Sequence, residues 1–234
     1  MNTITFNPQA IDAVIVDLDG TMVDTLGDFV VALNQMLADL PAPYDRHTVN
    51  LAQVAQWVGK GSEHLIKTVL THVSPPPHDL MVLAGSRYQH HYLAANGQHA
   101  SVYPGVLAGL TQLQACGLPL ACLTNKPTAF AQALLQAKGL DRFFKLTFGG
   151  DAFARKKPDP LPLLKTCEAL GFLPARILMI GDSSNDAEAA RAAGCPVLLV
   201  TYGYNHGQPI RAVDADGFTD SLQSLVENFP SSRH

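Results

Sequence analysis

The sequence predicts an α/β protein with a Rossmann-like parallel sheet and an inserted all-helical domain. Short apolar runs, suited to strands that are buried on both faces, alternate with helical segments from about residue 103 onward. The connections between these segments are short, as in right-handed βαβ units. A stretch of helical patterns at 25–98 interrupts this alternation after the first apolar run, which indicates an insertion.

The first strand is predicted at 13–16, where four apolar residues precede two acids. In the insertion, apolar residues recur at helical spacing over 24–40 and 48–58, and a further helix is predicted over 78–95. Between them, Gly59-Lys60-Gly61 is expected to break the chain, and Ser62 to be the N-cap of a third helix.

The second half of the sequence reads as alternating helices and strands. Glycines 117, 139, 171 and 194 follow four of the helical patterns and are expected to terminate them. This organisation predicts an α/β core at 1–24 and 99–234, with a helical cap at 25–98. The predicted helices are 106–116, 127–138, 161–170 and 186–193, and the predicted strands are 118–123, 145–148, 177–180 and 197–200.

The composition and net charge indicate a globular protein and give no sign of nucleic-acid binding. The 234 residues are 47% hydrophobic, enough for a large core, and a net charge of −4 gives no overall basic footprint for nucleic acid. No signal-peptide pattern or membrane-length apolar run is present, and the cysteines lack metal-site spacing. We therefore expect a cytoplasmic protein with reduced thiols and a small-molecule partner. The oligomeric state stays open.

An acidic pair follows the first strand. Asp17 and Asp19 are two residues apart, so in extended chain their side chains lean the same way. Two carboxylates this close favour a bound cation or a retained proton, which suits a nucleophile and a general acid/base beside a divalent metal. Gly20 allows backbone to approach a ligand closely. The alternative is an ordinary turn after a strand.

Polar clusters follow two more strands, and a third cluster lies between these two in the chain. They are Thr124-Asn125-Lys126, Gly181-Asp182-Ser183-Ser184-Asn185-Asp186 and, between them, Arg155-Lys156-Lys157-Pro158-Asp159-Pro160. Because parallel strands share one carboxyl edge, we expect Asp17, Thr124 and Asp182 to converge there. Hydroxyl, ammonium and carboxylate groups together suit phosphoryl transfer. Individually, each cluster could instead cap a helix or form a solvated charged surface.

Taken together, the motifs resemble the haloacid dehalogenase superfamily of phosphohydrolases. The matching segments read DLDGT at 17–21, LTN at 123–125, KP at 157–158 and GDSSND at 181–186. Longer segments, among them WVGKGSEHL, LTNKPT and TYGYN, look like the branch that comprises bacterial phosphoglycolate phosphatases. The insertion after the first motif matches the position of the superfamily's helical C1 cap.

The resemblance implies catalytic roles for four residues. Asp17 would be the nucleophile that forms an aspartyl-phosphate, and Asp19 would protonate the leaving alcohol and then activate water. Thr124 and Lys157 would hold the phosphoryl oxygens, with Asn125 beside them in the substrate site. Lys157 would also offset the charge of Asp17.

The resemblance also implies a magnesium site. The ligands would be the Asp17 carboxylate, the Asp19 backbone carbonyl and the Asp182 carboxylate, while Asp186 would support the water shell of the ion. An all-oxygen ligand set agrees independently with Mg²⁺. Lys60 departs from the pattern, since relatives tend to carry Asn there.

The expected activity is magnesium-dependent hydrolysis of 2-phosphoglycolate. In the cap, Gly59, Lys60 and Gly61 are candidates for binding the substrate carboxylate, through backbone amides and one charge. The alternatives are a phosphatase or mutase for another small phosphate ester or sugar phosphate, a phosphonate hydrolase that uses a cap lysine, and a non-catalytic binding module.

Overall fold

The computed structural model of the chain describes residues 4–226 and 229. Its centre is a six-stranded sheet of order β5-β4-β1-β6-β7-β8, in which every neighbouring pair is parallel. The predicted α/β class with a parallel sheet is therefore confirmed. The strands are β1 Ala13–Val16, β4 Leu120–Leu123, β5 Leu146–Phe148, β6 Ile177–Gly181, β7 Val197–Val200 and β8 Gly217–Thr219.

Helices cover both faces of the sheet, because side chains of each strand alternate between the faces. In β1, Val14 and Val16 belong to one hydrophobic cluster, whereas Ala13 and Ile15 belong to another. The first cluster includes α5, α6 and α9, and the second includes α7 and α8. These helices are α5 Val106–Ala115, α6 Thr128–Ala137, α7 Leu161–Leu170, α8 Ser184–Ala193 and α9 Leu222–Val226.

The inserted stretch forms a separate helical layer with a third hydrophobic cluster. Its helices are α1 Leu26–Ala38, α2 Leu51–Trp57, α3 Ser62–Val73 and α4 His78–Ala95. The two chain segments that join this layer to the sheet, β2 Val23–Asp24 and β3 Ser101–Val102, pair with each other in antiparallel fashion. The domain division at 24/25 and 98/99 stays a prediction, and 1–3, 227–228 and 230–234 lie outside the described residues.

Asp28 stabilises the segment through which the chain returns from the helical layer. Its fully buried carboxylate accepts hydrogen bonds from the backbone N–H groups of Gly97, at 2.6 Å, and His99, at 2.7 Å. On the outgoing segment, the Tyr204 hydroxyl accepts from the N–H of Thr25 and donates to Asp24. Both crossings are thus held by side chains that accept hydrogen bonds from backbone N–H groups.

The structure corrects several local expectations. Gly61, at φ +90°, is the N-cap of α3, and Ser62 is the first helical residue, so the predicted Ser62 cap is wrong. Strand β8 was not predicted, because its three residues carry no periodic pattern. No helix among the described residues combines the length and the apolar character that crossing a bilayer requires.

Candidate active site

The carboxyl edge of the sheet brings three of the predicted polar residues together. Asp17 directly follows β1, Thr124 directly follows β4 and Asp182 directly follows β6. These three strands are neighbours in the order β4-β1-β6. All three residues are buried and line one cavity. Topology therefore accounts for their convergence, as expected for open parallel sheets. Lys157, Asp186, Asp19 and Asn125 line the same cavity.

Lys157 reaches this edge from the loop before α7. Its Nζ atom lies 2.8 Å from Oδ1 of Asp17, 2.7 Å from Oδ1 of Asp186 and 2.8 Å from the carbonyl oxygen of Leu123. Burial opposes its charge, but the two carboxylates outweigh this effect and raise the pKa of Lys157. The ammonium is therefore a fixed cation, and its three donors all have partners. Lys156, by contrast, is exposed.

Two further carboxylates, those of Asp182 and Asp186, lie close to Asp17. Oxygen atoms of Asp17, Asp182 and Asp186 lie within 4.8 Å of one another, and all three residues are buried. Burial raises the pKa of Asp17 to about 7, even though Lys157 opposes the shift. Burial, followed by the charges of Asp186 and Asp17, also raises the pKa of Asp182 well above its usual range. Such a cluster of hard oxygen donors fits a divalent cation, which would relieve this repulsion.

One backbone N–H group and one side-chain hydroxyl contact the carboxylate of Asp182. Its Oδ2 atom accepts from the N–H of Tyr204 at 2.7 Å, and its Oδ1 atom lies 3.5 Å from the hydroxyl of Thr21. Gly20 packs directly against this carboxylate at φ +85°, where a Cβ atom would overlap it. Glycine is therefore required in the first motif for close approach as well as for backbone conformation.

Asp186 has two tasks. Its Oδ2 atom accepts from the N–H groups of Asp182 and Ser183 and from the Ser183 hydroxyl, which completes a capping box at the start of α8. Its Oδ1 atom accepts from Lys157. The helix-cap alternative and the site role are thus compatible, because each uses a different oxygen.

Lys126 belongs to the polar cluster predicted after β4, but no sequence motif assigned it a role, and its contacts are visible only in the structure. Its Nζ atom lies 3.0 and 3.3 Å from the two carboxylate oxygens of Asp19 and donates to the hydroxyl of Tyr92. The same ammonium lies 4.8 Å from the ring centroid of Phe29 and 4.7 Å from that of Tyr92. Lys126 thus links a core acid to two residues of the helical layer, although it is only 5% exposed.

The loop between α2 and α3 is docked on the core. Asn125 and Asn185 each donate from Nδ2 to the carbonyl oxygen of Gly59, both at 3.1 Å. Nδ1 of His206 donates to the carbonyl oxygen of Val58 at 2.9 Å. Asn125 also donates to the Lys157 carbonyl, so both of its N–H groups are used in this conformation. Burial and the nearby charge of Lys60 lower the pKa of His206, which favours a neutral ring.

The three predicted loop residues differ in position. Gly59 and Gly61 line the cavity together with Ser62, and Gly59 turns its carbonyl toward the core. Lys60 is exposed and is not among the cavity residues, so its role in substrate binding stays a prediction without a contact to support it.

Aromatic side chains of the helical layer enclose the cavity. The Tyr92 ring stacks against Phe29 at 5.4 Å and Tyr88 at 5.3 Å between centroids, and meets Phe130 of the core edge-on at 5.1 Å. One wall of the cavity is therefore charged and the other is aromatic. An anionic group that enters is shielded from bulk water, which strengthens its contacts with cations.

Comparison with known proteins agrees with this geometry. Residues 11–194 match the family model described as haloacid dehalogenase-like hydrolase. The chain is 43% identical over 218 residues to a phosphoglycolate phosphatase of Thiobacillus denitrificans, covering 92% of this chain and 94% of that protein. It is also 43% identical to a plasmid-borne phosphoglycolate phosphatase of Cupriavidus necator, covering 91% and 90% of the two chains.

A solved structure gives the same result for the fold. The crystal structure of a predicted phosphoglycolate phosphatase from Haemophilus somnus superposes with a TM-score of 0.85 at 31% identity. The superposition covers 93% of this chain and 97% of that one.

Proposed function

The chain belongs to the haloacid dehalogenase-like hydrolases, and from that premise we propose that it hydrolyses 2-phosphoglycolate to glycolate and inorganic phosphate. The observation that carries the proposal is the buried contact between Asp17 and Lys157 beside Asp182. It combines a nucleophile, a cation for phosphoryl oxygens and a further acid in one enclosed cavity.

In the proposed reaction, a carboxylate oxygen of Asp17 attacks phosphorus and the bond from phosphorus to the glycolate oxygen breaks. Asp19 gives its proton to that departing oxygen. Asp19 then takes a proton from water, which attacks the aspartyl-phosphate and releases inorganic phosphate with Asp17 restored. Asp19 can act first as the acid and then as the base, because the proton that it loses in the first half of the reaction is regained in the second half.

Thr124 and Lys157 are the proposed phosphoryl contacts. The Thr124 oxygen accepts from the N–H of Lys126 at 3.2 Å, which leaves its O–H free to donate. Lys157 would shift part of its hydrogen bonding from Asp17 to a phosphoryl oxygen, because negative charge moves onto the transferred group. Asn125, whose amide donors already hold the loop and Lys157, would position the site and bind substrate only after that contact shifts.

Mg²⁺ is the proposed cofactor. The carboxylates of Asp17 and Asp182 and the backbone carbonyl of Asp19 would hold it, with Asp186 nearby, and the buried oxygen-only donor set suits a hard cation. When bound, the ion would supply neutralising charge and orientation for the phosphoryl group. The four cysteines are buried and form no disulfide, which is consistent with the further proposal that the protein works in the cytoplasm.

The test is kcat/KM for phosphate release across a panel of small esters. The panel contains 2-phosphoglycolate, 2-hydroxyethyl phosphate, glycerol 3-phosphate and glucose 6-phosphate, each assayed after EDTA treatment with and without added Mg²⁺. We expect 2-phosphoglycolate to be preferred and activity to return with Mg²⁺. Preference for a sugar phosphate, or conversion of one sugar phosphate to another, would favour the ester-phosphatase or mutase alternative. Absence of turnover on the whole panel would favour a binding module.

A further inference from the structure

We propose that Lys126 binds the carboxylate of the substrate and thereby selects phosphate esters that carry a second anionic group close to the leaving oxygen. The inference rests on the proposed function, because it concerns how the same cavity recognises 2-phosphoglycolate. It moves the recognition of the carboxylate from the exposed Lys60 to a buried cation that contacts the acid Asp19.

The cavity offers two lysine ammonium groups to a substrate that carries two anionic groups. The substrate brings a phosphate and a carboxylate into one enclosed cavity, so two cationic partners are expected. Among the described residues that line the cavity, the lysines are Lys126 and Lys157. All three N–H groups of Lys157 have partners at the phosphate end of the site. Lys126 also has three acceptors in this conformation, because its Nζ atom donates to both carboxylate oxygens of Asp19, at 3.0 and 3.3 Å, and to the hydroxyl of Tyr92. A substrate carboxylate would replace the longer of the two contacts with Asp19, and the shorter one would remain.

The position of Lys126 beside Asp19 places its ammonium near the leaving oxygen of the substrate. The leaving oxygen must come within hydrogen-bond distance of Asp19 to receive its proton. Nζ of Lys126 is itself 3.0 Å from that carboxylate, so the ammonium and the leaving oxygen lie within about 6 Å of each other, the sum of two hydrogen bonds. In 2-phosphoglycolate only one CH₂ group separates the leaving oxygen from the carboxylate. The carboxylate of a correctly placed substrate therefore falls within reach of Lys126.

The surroundings of the Lys126 ammonium are buried and aromatic. The Lys126 ammonium lies 4.8 and 4.7 Å from the ring centroids of the stacked pair Phe29 and Tyr92, and the side chain is 2% exposed, so water competes little for its charge. Charge-assisted hydrogen bonds are stronger in such an environment than at the surface. Phe29 and Tyr92 belong to α1 and α4, so the helical layer fixes the cation that lies next to a core acid. Recognition of the carboxylate would thus require both parts of the chain to be in contact.

The experiment compares 2-phosphoglycolate with 2-hydroxyethyl phosphate, in which a neutral CH₂OH group replaces the carboxylate. The variants are Lys126→Met, Lys126→Gln, which keeps a hydrogen-bond donor without charge, and Lys165→Met as a control at an exposed lysine. We expect both Lys126 variants to lower the ratio of the two kcat/KM values by about tenfold to a hundredfold. Any damage to Asp19 affects both esters, so the ratio isolates the carboxylate.

The outcomes separate the two proposals. If the wild-type protein turns over phosphate esters but shows no preference for 2-phosphoglycolate, the proposed substrate is wrong. If the wild type shows that preference and both Lys126 variants keep it, Lys126 does not bind the carboxylate, while the proposed function stands. Circular dichroism and thermal unfolding check that each variant folds. As a second measurement, Tyr92→Phe retains the charge but removes one Lys126 contact, and it should raise KM for 2-phosphoglycolate more than for 2-hydroxyethyl phosphate.

Discussion

The Nζ atom of Lys157 lies 2.8 Å from Oδ1 of Asp17, although 140 residues separate them in the chain. Both groups are buried, so neither charge is well solvated without the other. Despite this contact, burial keeps the pKa of Asp17 raised to about 7. The pair thus holds a carboxylate that is fixed in position but costly to ionise.

Asp17→Asn should abolish turnover while the fold is retained. An amide has nearly the same shape as a carboxylate but cannot attack phosphorus. We expect kcat to fall at least a thousandfold, measured as phosphate release from 2-phosphoglycolate with saturating Mg²⁺. Asp214→Asn, at an exposed acid, is the matched control and should retain activity. Near wild-type turnover by Asp17→Asn would show that another residue is the nucleophile.

The same substitution should alter how stability depends on pH in metal-free protein. Burial raises the pKa of Asp17 from 3.8 to about 7, so the folded state binds this proton more tightly than the unfolded state. The free energy of unfolding should therefore fall as pH rises from about 4 to about 7, by at most about 1.4 kcal/mol per pH unit for this one group.

Urea unfolding in EDTA at pH 5 and pH 8 measures this effect. Asp17→Asn should lose less stability between the two pH values than the wild type, because the titrating group is gone. Lys157 does not confound the comparison, since its pKa is raised and it stays charged throughout this range. Equal losses in both proteins would mean that Asp17 ionises without cost in the folded state.

Asp19→Asn should slow the hydrolysis of esters with a poor leaving group more than that of esters with a good one. Without the acid, an alkoxide must depart unprotonated from 2-phosphoglycolate, whereas p-nitrophenolate is stable as an anion. We expect the phosphorylation step to slow at least tenfold more for 2-phosphoglycolate than for p-nitrophenyl phosphate, in single-turnover assays. Equal slowing of the two esters would argue that Asp19 is not the acid.

Asp182→Ala should raise the Mg²⁺ concentration needed for half-maximal activity by tenfold or more. The substitution removes one carboxylate from the buried cluster with Asp17 and Asp186, and hard cations depend on each such ligand. The measurement is phosphate release during a Mg²⁺ titration, with Asp214→Asn again as the control. A titration curve that coincides with the wild-type curve would remove Asp182 from the metal site.

The proximity of Asp17, Thr124 and Asp182 can be predicted from the sequence, because it depends only on the shared carboxyl edge of parallel strands. The environment of Lys126 cannot be predicted in this way, because it depends on how α1 and α4 of the helical layer approach the core. The cap of α3 was misassigned because Ser62 is the better N-cap by composition, whereas the turn at φ +90° requires Gly61.

The last prediction concerns the loop at Gly59, Lys60 and Gly61. Gly61 has φ +90°, and a Cβ atom there would lie 2.7 Å from Nζ of Lys156, so Gly61→Val should disturb the N-terminus of α3 at the cavity. Backbone N–H groups at a helix N-terminus favour anions. We therefore expect Gly61→Val to lower kcat/KM for 2-phosphoglycolate about tenfold more than for p-nitrophenyl phosphate.

Two further variants make this prediction decisive. Gly171→Val places the same strained residue at φ +81° in open space at the end of α7, so it controls for loss of stability alone. Lys60→Ala should change KM for 2-phosphoglycolate less than threefold, because Lys60 is exposed and does not line the cavity. If Gly61→Val lowers kcat/KM equally for the two substrates, as Gly171→Val is expected to do, the loop does not distinguish the carboxylate. In that case, substrate selection must depend on side chains deeper in the cavity, of which Lys126 is the cation that contacts Asp19.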